Sequence, residues 1–376
     1  MEKLLITARG PEEILALHLK DGRPVRIAVT RQADADAPAV GDVYRARVQN
    51  VSRGLKNAFL ELGGGHRAYM NLTEEDDSIR PGQEITVMIN QEGIGDKLPS
   101  ASREITMPGE WLVLSSDAGF LGFSRRAGFD GPQREAIHEL LLPFFKEAGF
   151  ILRTAAEQVS LDRLAGEAAQ LADEYRRLLT KAGHSPAPLR LAQGQPLYRE
   201  WLQGLNKEET EVITDLPSVY EDLLAYYRAR RLPEDGLRLY RDENLSLTAL
   251  YNVEKAVREA KDRKVWLKSG AYLVIEHTEA MTVIDVNSGK NEEGSAGQIE
   301  RINREAAAEV ARQLLLRNLS GMILVDFINM KRPEANDELL ALLRSLVRED
   351  PVFTQVVDMT PLGLVEITRR RIRRPV

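Results

Sequence analysis

The sequence contains no cysteine among its 376 residues. Disulfide bonds and thiolate zinc sites are therefore excluded, so neither can hold this fold together. Histidine is scarce as well, and the five histidines form no pair at the spacing of metal ligands. We accordingly expect no zinc in this protein.

Long apolar runs are also missing. No stretch of about 18 apolar residues and no signal-peptide pattern is visible, so we expect a cytoplasmic protein. The net charge of −6 argues weakly against nucleic-acid binding, although local basic patches rather than net charge decide such binding. With 43% hydrophobic and 29% charged residues, the chain has the composition of an ordinary globular protein of two or three domains.

Two aspartates stand out because each ends an apolar run. Asp285 lies in MTVIDVNSG and Asp326 in GMILVDFINM, and the asparagines Asn287 and Asn329 follow closely. The apolar runs predict buried strands. Carboxylates with nearby amides at strand ends indicate an oxygen-rich Mg²⁺ site, but acids that cap turns or form salt bridges would give the same pattern.

The segment between the two aspartates predicts a helix. Apolar residues recur at helical spacing from Ile299 to Leu314, and Ser320-Gly321 is a stop signal. The order is therefore strand, loop, helix, strand. A parallel crossover would place both aspartates at the same end of neighbouring strands, where open α/β sheets bind ligands. Upstream, Thr278 to Ala280 predict a tight hairpin.

The segments YLVIEHTEAMTVIDVNSG and NREAAAEVARQLLLRNLSGMILVDFINM resemble the catalytic segment of the ribonuclease E/G family. The resemblance implies hydrolytic cleavage of single-stranded RNA, with 5′-phosphate and 3′-hydroxyl products. It implies that Asp285 and Asp326 bind Mg²⁺, with Mn²⁺ as an alternative, and that Asn287 assists at the scissile phosphate. Glu279 also falls in the motif, without a defined role. The chain length and the RTAAE segment are nearer to the ribonuclease G branch than to the longer ribonuclease E branch.

The same resemblance implies a multidomain α/β fold. An S1-type OB-fold barrel and a 5′-sensor region are inserted into a ribonuclease-H-like subdomain, and an α/β catalytic subdomain of deoxyribonuclease-I type follows. The corresponding segments are 1–36 and 166–264 for the two ribonuclease-H-like parts, 37–100 for the barrel, 101–165 for the sensor and 265–376 for the catalytic subdomain.

Short strands separated by glycine turns precede residue 72, which is typical of a small barrel. The AFLELG and AYM segments resemble an S1-type domain. The resemblance implies that Phe59 and Tyr69 stack on bases and that Lys97 is a basic loop residue that contacts RNA. Strand alternation by itself places one of the two aromatic residues in the barrel core equally well.

Residues 105–160 predict a strand, a turn, an amphipathic helix closed by Gly149, and a further strand. In the family this region senses the 5′ end of RNA and prefers a monophosphate. The matching positions are Gly109, Val113, Arg153 and Thr154. An arginine can bind phosphate through two N–H groups, and a hydroxyl with backbone amides can complete such a site. Arg125 and Arg126 lie nearby in sequence, and a surface salt bridge is the other explanation for Arg153.

Five arginines crowd the C-terminal end of the sequence. They are Arg369, Arg370, Arg371, Arg373 and Arg374. They indicate either phosphate contacts or a solvated basic tail. Paired cysteines that link subunits through zinc in many family members would begin where this sequence stops. The chain is thus a short family variant or a shortened one, and a homodimer would need an interface without zinc.

The expected partner is single-stranded RNA, such as ribosomal RNA precursors and messenger RNA, with no membrane partner. The implied role is RNA processing and decay. Two alternatives stay open from the sequence. One is a non-catalytic RNA-binding or ribosome-associated factor with the same fold, and the other is a metal-dependent nuclease that acts on DNA.

Overall fold

A computed structural model of the chain describes residues 2–31, 36–95, 97–124, 126–207, 209–230, 232–289, 296–330 and 332–376, apart from the side chains of Ala296 and Pro333. Helices and strands form a mixed α/β arrangement, in which α1 comes only after β11. In chain order they are β1 (Glu2–Ala8), β2 (Glu13–Lys20), β3 (Arg23–Arg31), β4 (Val43–Ser52), β5 (Asn57–Gly63), β6 (His66–Asn71), β7 (Glu84–Gln91), β8 (Ser100–Ser102), β9 (Thr106–Pro108), β10 (Leu112–Ser115), β11 (Leu121–Phe123), α1 (Gly131–Leu141), β12 (Gly149–Leu152), α2 (Leu161–His184), β13 (Leu189–Ala192), α3 (Leu197–Gln203), β14 (Thr210–Thr214), α4 (Pro217–Ala229), β15 (Leu237–Leu239), α5 (Leu247–Leu250), α6 (Val253–Lys261), β16 (Lys264–Trp266), β17 (Tyr272–His277), β18 (Met281–Asn287), α7 (Ala296–Leu316), β19 (Gly321–Asp326), α8 (Pro333–Val347), β20 (Thr354–Met359) and β21 (Leu364–Arg369).

The chain divides into two compact units. Met1–Ala35 and Leu197–Val376 form a discontinuous unit, and Asp36–Pro196 form an inserted unit. The inserted unit contains the predicted barrel and sensor regions, together with α2 and β13. The ribonuclease-H-like and deoxyribonuclease-I-like assignments, and the predicted domain boundaries, remain predictions.

A closed barrel forms the first part of the inserted unit, as the sequence predicts. Strands β4, β5, β6, β8 and β7 are neighbours in that order, and β7 pairs back with β4. Alternate residues point inward, so that Val48, Leu60 and Met70 are buried in the core. This closed five-stranded barrel is consistent with an OB-fold. Strand β13 pairs with β4 in an antiparallel manner. It was not predicted, because it follows directly on a proline-rich segment, which predicts a loop.

A second sheet of the inserted unit has the order β11-β12-β10-β9, and α1 and α2 pack against it. The prediction that one helix continues to Gly149 is wrong. Helix α1 ends at Leu141, and a short 3-10 turn containing Pro143 follows. Gly149 instead begins β12, where a Cβ atom would collide with the carbonyl oxygen of Asp117.

The discontinuous unit contains two sheets. The first has the order β15-β14-β1-β2-β3, and its central strand β1 is buried on both faces. Leu5 faces a core shared with α6, whereas Leu4 and Ile6 face a core shared with α4. Such two-sided burial requires a continuous apolar run, which Leu4, Leu5 and Ile6 supply in β1.

The second sheet of this unit has the order β16-β17-β18-β19-β21-β20. Strands β18 and β19 are parallel and are connected through α7, as the strand–helix–strand pattern predicts. Helices α7 and α8 pack on one face of the sheet, where Ile284, Val286, Ile323 and Val325 contribute to the core. The helix ends at Leu316, earlier than Ser320, and Asn318 adopts a left-handed φ of 52° after it.

Among the described residues, no helix combines the length and the apolar character that a membrane span requires.

Candidate active site

Asp285 and Asp326 lie side by side on the sheet that carries α7. They are paired in register on the adjacent parallel strands β18 and β19. Their chain neighbours Ile284 and Val325 are buried under the helices, so strand alternation turns both carboxylates to the opposite face. Both aspartates are exposed to solvent. The two strand-end acids thus share one open site.

The amide of Asn287 supports the first carboxylate. Its Nδ2 donates a hydrogen bond of 2.8 Å to Oδ2 of Asp285. The backbone turns immediately afterwards at Gly289, whose φ is +64° and whose missing Cβ allows contact with the carbonyl oxygen of Gly270. Within the described part of the chain, neither aspartate forms an ion pair. The salt-bridge explanation of these acids therefore has no support.

The donor set fits a hard divalent cation. Two carboxylates lie on strands about 5 Å apart, and Asn287 holds one of them in place. Mg²⁺ binds through one or two carboxylates and keeps several waters, whereas Ca²⁺ and zinc sites take more ligands from the protein. No group of three or more His, Asp or Glu side chains suitable for a metal is present among the described residues. Two carboxylates with an adjacent amide are ligands of the kind that Mg²⁺ takes from proteins.

Asn303 is a further residue of this site that sequence reasoning missed. It is fully buried on α7. Its Nδ2 donates to the carbonyl oxygen of Ile328 at 2.7 Å, and its Oδ1 accepts from the Ile328 N–H at 3.1 Å. This pair of hydrogen bonds fixes the loop that follows Asp326. The available signal was a polar residue beside Ile302, on the apolar face of a predicted helix.

Glu279 lies away from this site. It occupies the exposed hairpin turn between β17 and β18, before the first residue of β18, whereas Asp285 lies near the last. Along β18, Asp285 lies about 13 Å from Met281, the first residue of the strand, and Glu279 lies in the turn before that residue. The structure thus does not place Glu279 beside the aspartates, although the motif includes it.

The barrel presents Phe59 and Tyr69 together on its outer surface. The two residues are directly opposite each other on β5 and β6, and both are half-buried outside the barrel core. The alternative that one of them fills the core is therefore wrong. The Tyr69 N–H donates to the Pro99 carbonyl at 3.0 Å, which brings the loop containing the exposed Lys97 alongside β6.

The four predicted sensor residues surround one end of the sheet β11-β12-β10-β9. Val113 pairs with Ile151, and the Arg153 N–H donates to the Trp111 carbonyl at 2.8 Å. The Thr154 hydroxyl lies 2.9 Å from the Ser124 hydroxyl. Arg125 lies outside the described residues, and the role of these positions remains a prediction.

The turn at Gly109 is built around a carboxylate that sequence reasoning missed. Glu167 on α2 is buried and accepts hydrogen bonds from the N–H groups of Trp111 at 2.8 Å and Leu112 at 2.9 Å. A Cβ on Gly109 would lie 2.7 Å from this carboxylate, so only glycine fits. The backbone amides of Trp111 and Leu112 already donate to Glu167. A bound phosphate would therefore have to be held by Arg153 and Thr154 instead.

Comparison with known proteins shows the family of this chain. Residues 106–372 match the model of the ribonuclease E/G family. The chain belongs to this family. It is 30% identical to ribonuclease G of Salmonella typhimurium (strain SL1344), over 97% of this chain and 79% of that protein. It is 32% identical to ribonuclease G of Haemophilus influenzae, over 99% of this chain and 80% of that protein. For ribonuclease E of Escherichia coli (strain K12) the identity is 31%, over 99% of this chain and 37% of that protein.

The C-terminal arginines of this family member do not behave as one group. Arg369 is buried, and its guanidinium contacts the Asp350 carboxylate at 2.7 Å, so for this residue both predicted roles are wrong. Arg373 forms an ion pair with Glu200. Arg370 and Arg374 are exposed. A phosphate-binding tail would therefore have fewer free cations than the sequence suggests.

Proposed function

We propose that this protein is a Mg²⁺-dependent endoribonuclease that hydrolyses single-stranded RNA. The observation that carries the proposal is the in-register pair of exposed carboxylates, Asp285 and Asp326, on adjacent parallel strands. Relatives of this chain are named ribonuclease G and ribonuclease E. Ribosomal RNA precursors and messenger RNA are the substrate classes we propose, and RNA processing and decay the role.

The two aspartates and Asn287 have different roles in this proposal. Asp285 and Asp326 would hold the ion, and Asn287 orients Asp285 while its second N–H remains able to donate to a phosphate oxygen. When bound, Mg²⁺ supplies Lewis-acid stabilisation of the charge that develops on the scissile phosphate. Water provides the oxygen that bonds to phosphorus, the bond to O3′ breaks, and O3′ takes a proton. The products are a 5′-phosphate and a 3′-hydroxyl.

The inserted unit would bind the remainder of the RNA. Phe59 and Tyr69 form an aromatic pair on which unpaired bases can stack, and Lys97 would contact the backbone. Arg153 and Thr154, at the end of β12, would bind a 5′-monophosphate and so stimulate cleavage. Gly109 allows the turn before β10, and Val113 lies on β10 itself.

Metal removal tests the proposal directly. We expect wild-type protein to cut a 5′-monophosphorylated, A/U-rich single-stranded RNA with Mg²⁺ and to lose this activity in EDTA, because two carboxylates alone cannot stabilise a charged phosphate. Mn²⁺ should restore cleavage after removal of EDTA. The measurement is gel analysis of internally cut products, with their 5′-phosphate and 3′-hydroxyl ends identified enzymatically. Binding of RNA without cleavage under any divalent ion would favour a non-catalytic RNA-binding factor, and equal cleavage of single-stranded DNA would favour a less specific nuclease.

Removal of the sensor arginine should change substrate preference rather than catalysis. We expect Arg153→Ala to reduce the preference for 5′-monophosphorylated over 5′-hydroxyl RNA by roughly 10- to 100-fold, because a bidentate charge-assisted contact is lost. Arg153→Lys keeps the positive charge but not the two-pronged geometry of the guanidinium. Its preference for 5′-monophosphorylated RNA should therefore lie between those of the wild type and Arg153→Ala. The measurement is kcat/KM on paired substrates that differ only at the 5′ end.

Arg177 provides the matched control for the sensor, since its side chain is 78% exposed on α2 of the same unit. Arg177→Ala should keep the wild-type preference. An equal loss of activity on 5′-monophosphorylated and 5′-hydroxyl RNA in Arg153→Ala would contradict the sensor role.

A further inference from the structure

An aromatic pair with a lysine lies on the same sheet face as the two aspartates. Trp266 on β16 and Tyr272 on β17 have ring centroids 5.1 Å apart. The Nζ of Lys264 lies 4.1 Å from the Trp266 centroid and 3.5 Å from the Tyr272 centroid. Trp266 is 64% exposed, which is unusual for the largest apolar side chain. We call these three residues the edge platform.

Strand register places the edge platform beside the aspartates. Trp266 pairs with Tyr272, and Tyr272 pairs in turn with Asn287. Asp285 is the diagonal neighbour of Tyr272, at a distance of about 7–8 Å for such pairs. Lys264 stands in the same row as Asp285, two strands away or about 10 Å. A nucleotide next to one bound at Asp285 would therefore lie over these rings.

The orientation of the edge platform follows from the core on the other face. Val265 and Leu273 pack into the helix-covered core, so Trp266 and Tyr272 must point to the open face. The platform combines flat rings with a cation, which is the combination that binds unpaired bases and their phosphates without sequence preference. Lys264 also places a positive charge on the face that carries two carboxylates, which would otherwise repel RNA.

We propose that the edge platform binds the nucleotide adjacent to the scissile phosphate, with its base on Trp266 and Tyr272 and its phosphate near Lys264. This inference rests on the proposed function of the same face. Its ligand is an unpaired base of RNA, and any of the four bases fits a stacking site. The platform therefore positions the substrate and takes no part in bond breaking.

An abasic scan tests the platform. One base is removed at a time on both sides of the cleavage site of a single-stranded RNA, and kcat/KM is measured for wild-type and Trp266→Ala proteins. We expect Trp266→Ala to lose roughly 5- to 100-fold on intact RNA, the range for one stacked base. We also expect that one abasic position lowers wild-type activity by a similar factor and lowers Trp266→Ala no further. Trp266→Phe should restore most of the activity, since it keeps a ring.

Leu245 offers a control for loss of an exposed apolar side chain in the same unit, being 41% exposed. Leu245→Ala should act as wild type on every substrate. A binding readout without catalysis comes from the Asp326→Asn protein, whose tryptophan fluorescence should be quenched by RNA. Replacement of Trp266 by phenylalanine in that protein should remove most of the quenching.

The platform and the proposed function can fail separately. If Asp326→Asn abolishes cleavage but Trp266→Ala changes neither kcat/KM nor the abasic pattern, the platform is wrong. If Trp266→Ala changes the sedimentation behaviour of the protein and leaves cleavage intact, the rings form a protein interface instead, and the inference is overturned. If Asp326→Asn still cleaves, the proposed function fails, whatever Trp266 does.

Discussion

Replacement of Asp326 by asparagine should abolish RNA cleavage and leave RNA binding intact. The change removes one negative charge from a two-carboxylate site and adds no bulk, so the ion loses half of its charged ligands. An ion that supplies several kcal/mol of stabilisation to the reacting phosphate corresponds to a loss of at least about 10³-fold in kcat. Asp285→Asn should behave in the same way. The measurements are single-turnover cleavage and, separately, RNA affinity by filter binding.

Asp358 provides the matched control for Asp326→Asn. It is an exposed acid on the edge strand β20 of the same sheet, with 74% of its side chain accessible. Asp358→Asn should retain cleavage within about threefold, because surface substitutions away from a site have small effects. Full activity of Asp326→Asn would remove the aspartate pair from the mechanism. Joint loss of binding and cleavage would mean that Asp326 also contributes to holding the RNA.

The aspartate pair could be predicted from sequence because each step is local. An apolar run ended by an acid predicts a strand end, and the amphipathic helix between the two runs predicts a parallel crossover. Each aspartate follows a buried residue, Ile284 or Val325, so strand alternation turns both carboxylates to the same open face. The outward orientation of Phe59 and Tyr69 was harder to predict from the sequence, because strand alternation alone does not show which face of a strand lies in the core.

Residues that act through long-range contacts could not be predicted. Asn303 bonds to a loop 25 positions later, and Glu167 accepts from amides more than 50 positions earlier. The position of Asn303 on the apolar face of its helix indicates burial, but the local pattern identifies neither its partner nor that of Glu167. The C-terminal arginines show the same limit, because a run of like charges normally indicates a solvated segment. The burial of Arg369 depends on Asp350, which lies 19 positions earlier in the chain.

Loss of the buried ion pair between Arg369 and Asp350 should destabilise the protein more than any change at the proposed active site. Both side chains are 3% exposed. The Arg369 guanidinium also donates to the Asn318 side chain at 2.8 Å and to the Leu319 carbonyl at 2.9 Å, so it connects β21 with the segment after α7. Arg369→Ala removes the guanidinium that contacts this buried carboxylate, which costs about 3–5 kcal/mol. Urea denaturation measures the loss as a lower midpoint with an unchanged slope.

The exposed neighbour Arg370 separates this structural role from RNA binding. Arg370→Ala should change the free energy of unfolding by less than about 0.5 kcal/mol. If the tail contacts phosphate, Arg370→Ala should instead lower the slope of log affinity against log salt by about 0.7, the value per phosphate of single-stranded RNA. Arg369→Ala, measured well below its unfolding midpoint, should leave that slope unchanged. A reduced slope with wild-type stability in Arg369→Ala would contradict the ion pair and return this arginine to the RNA-binding surface.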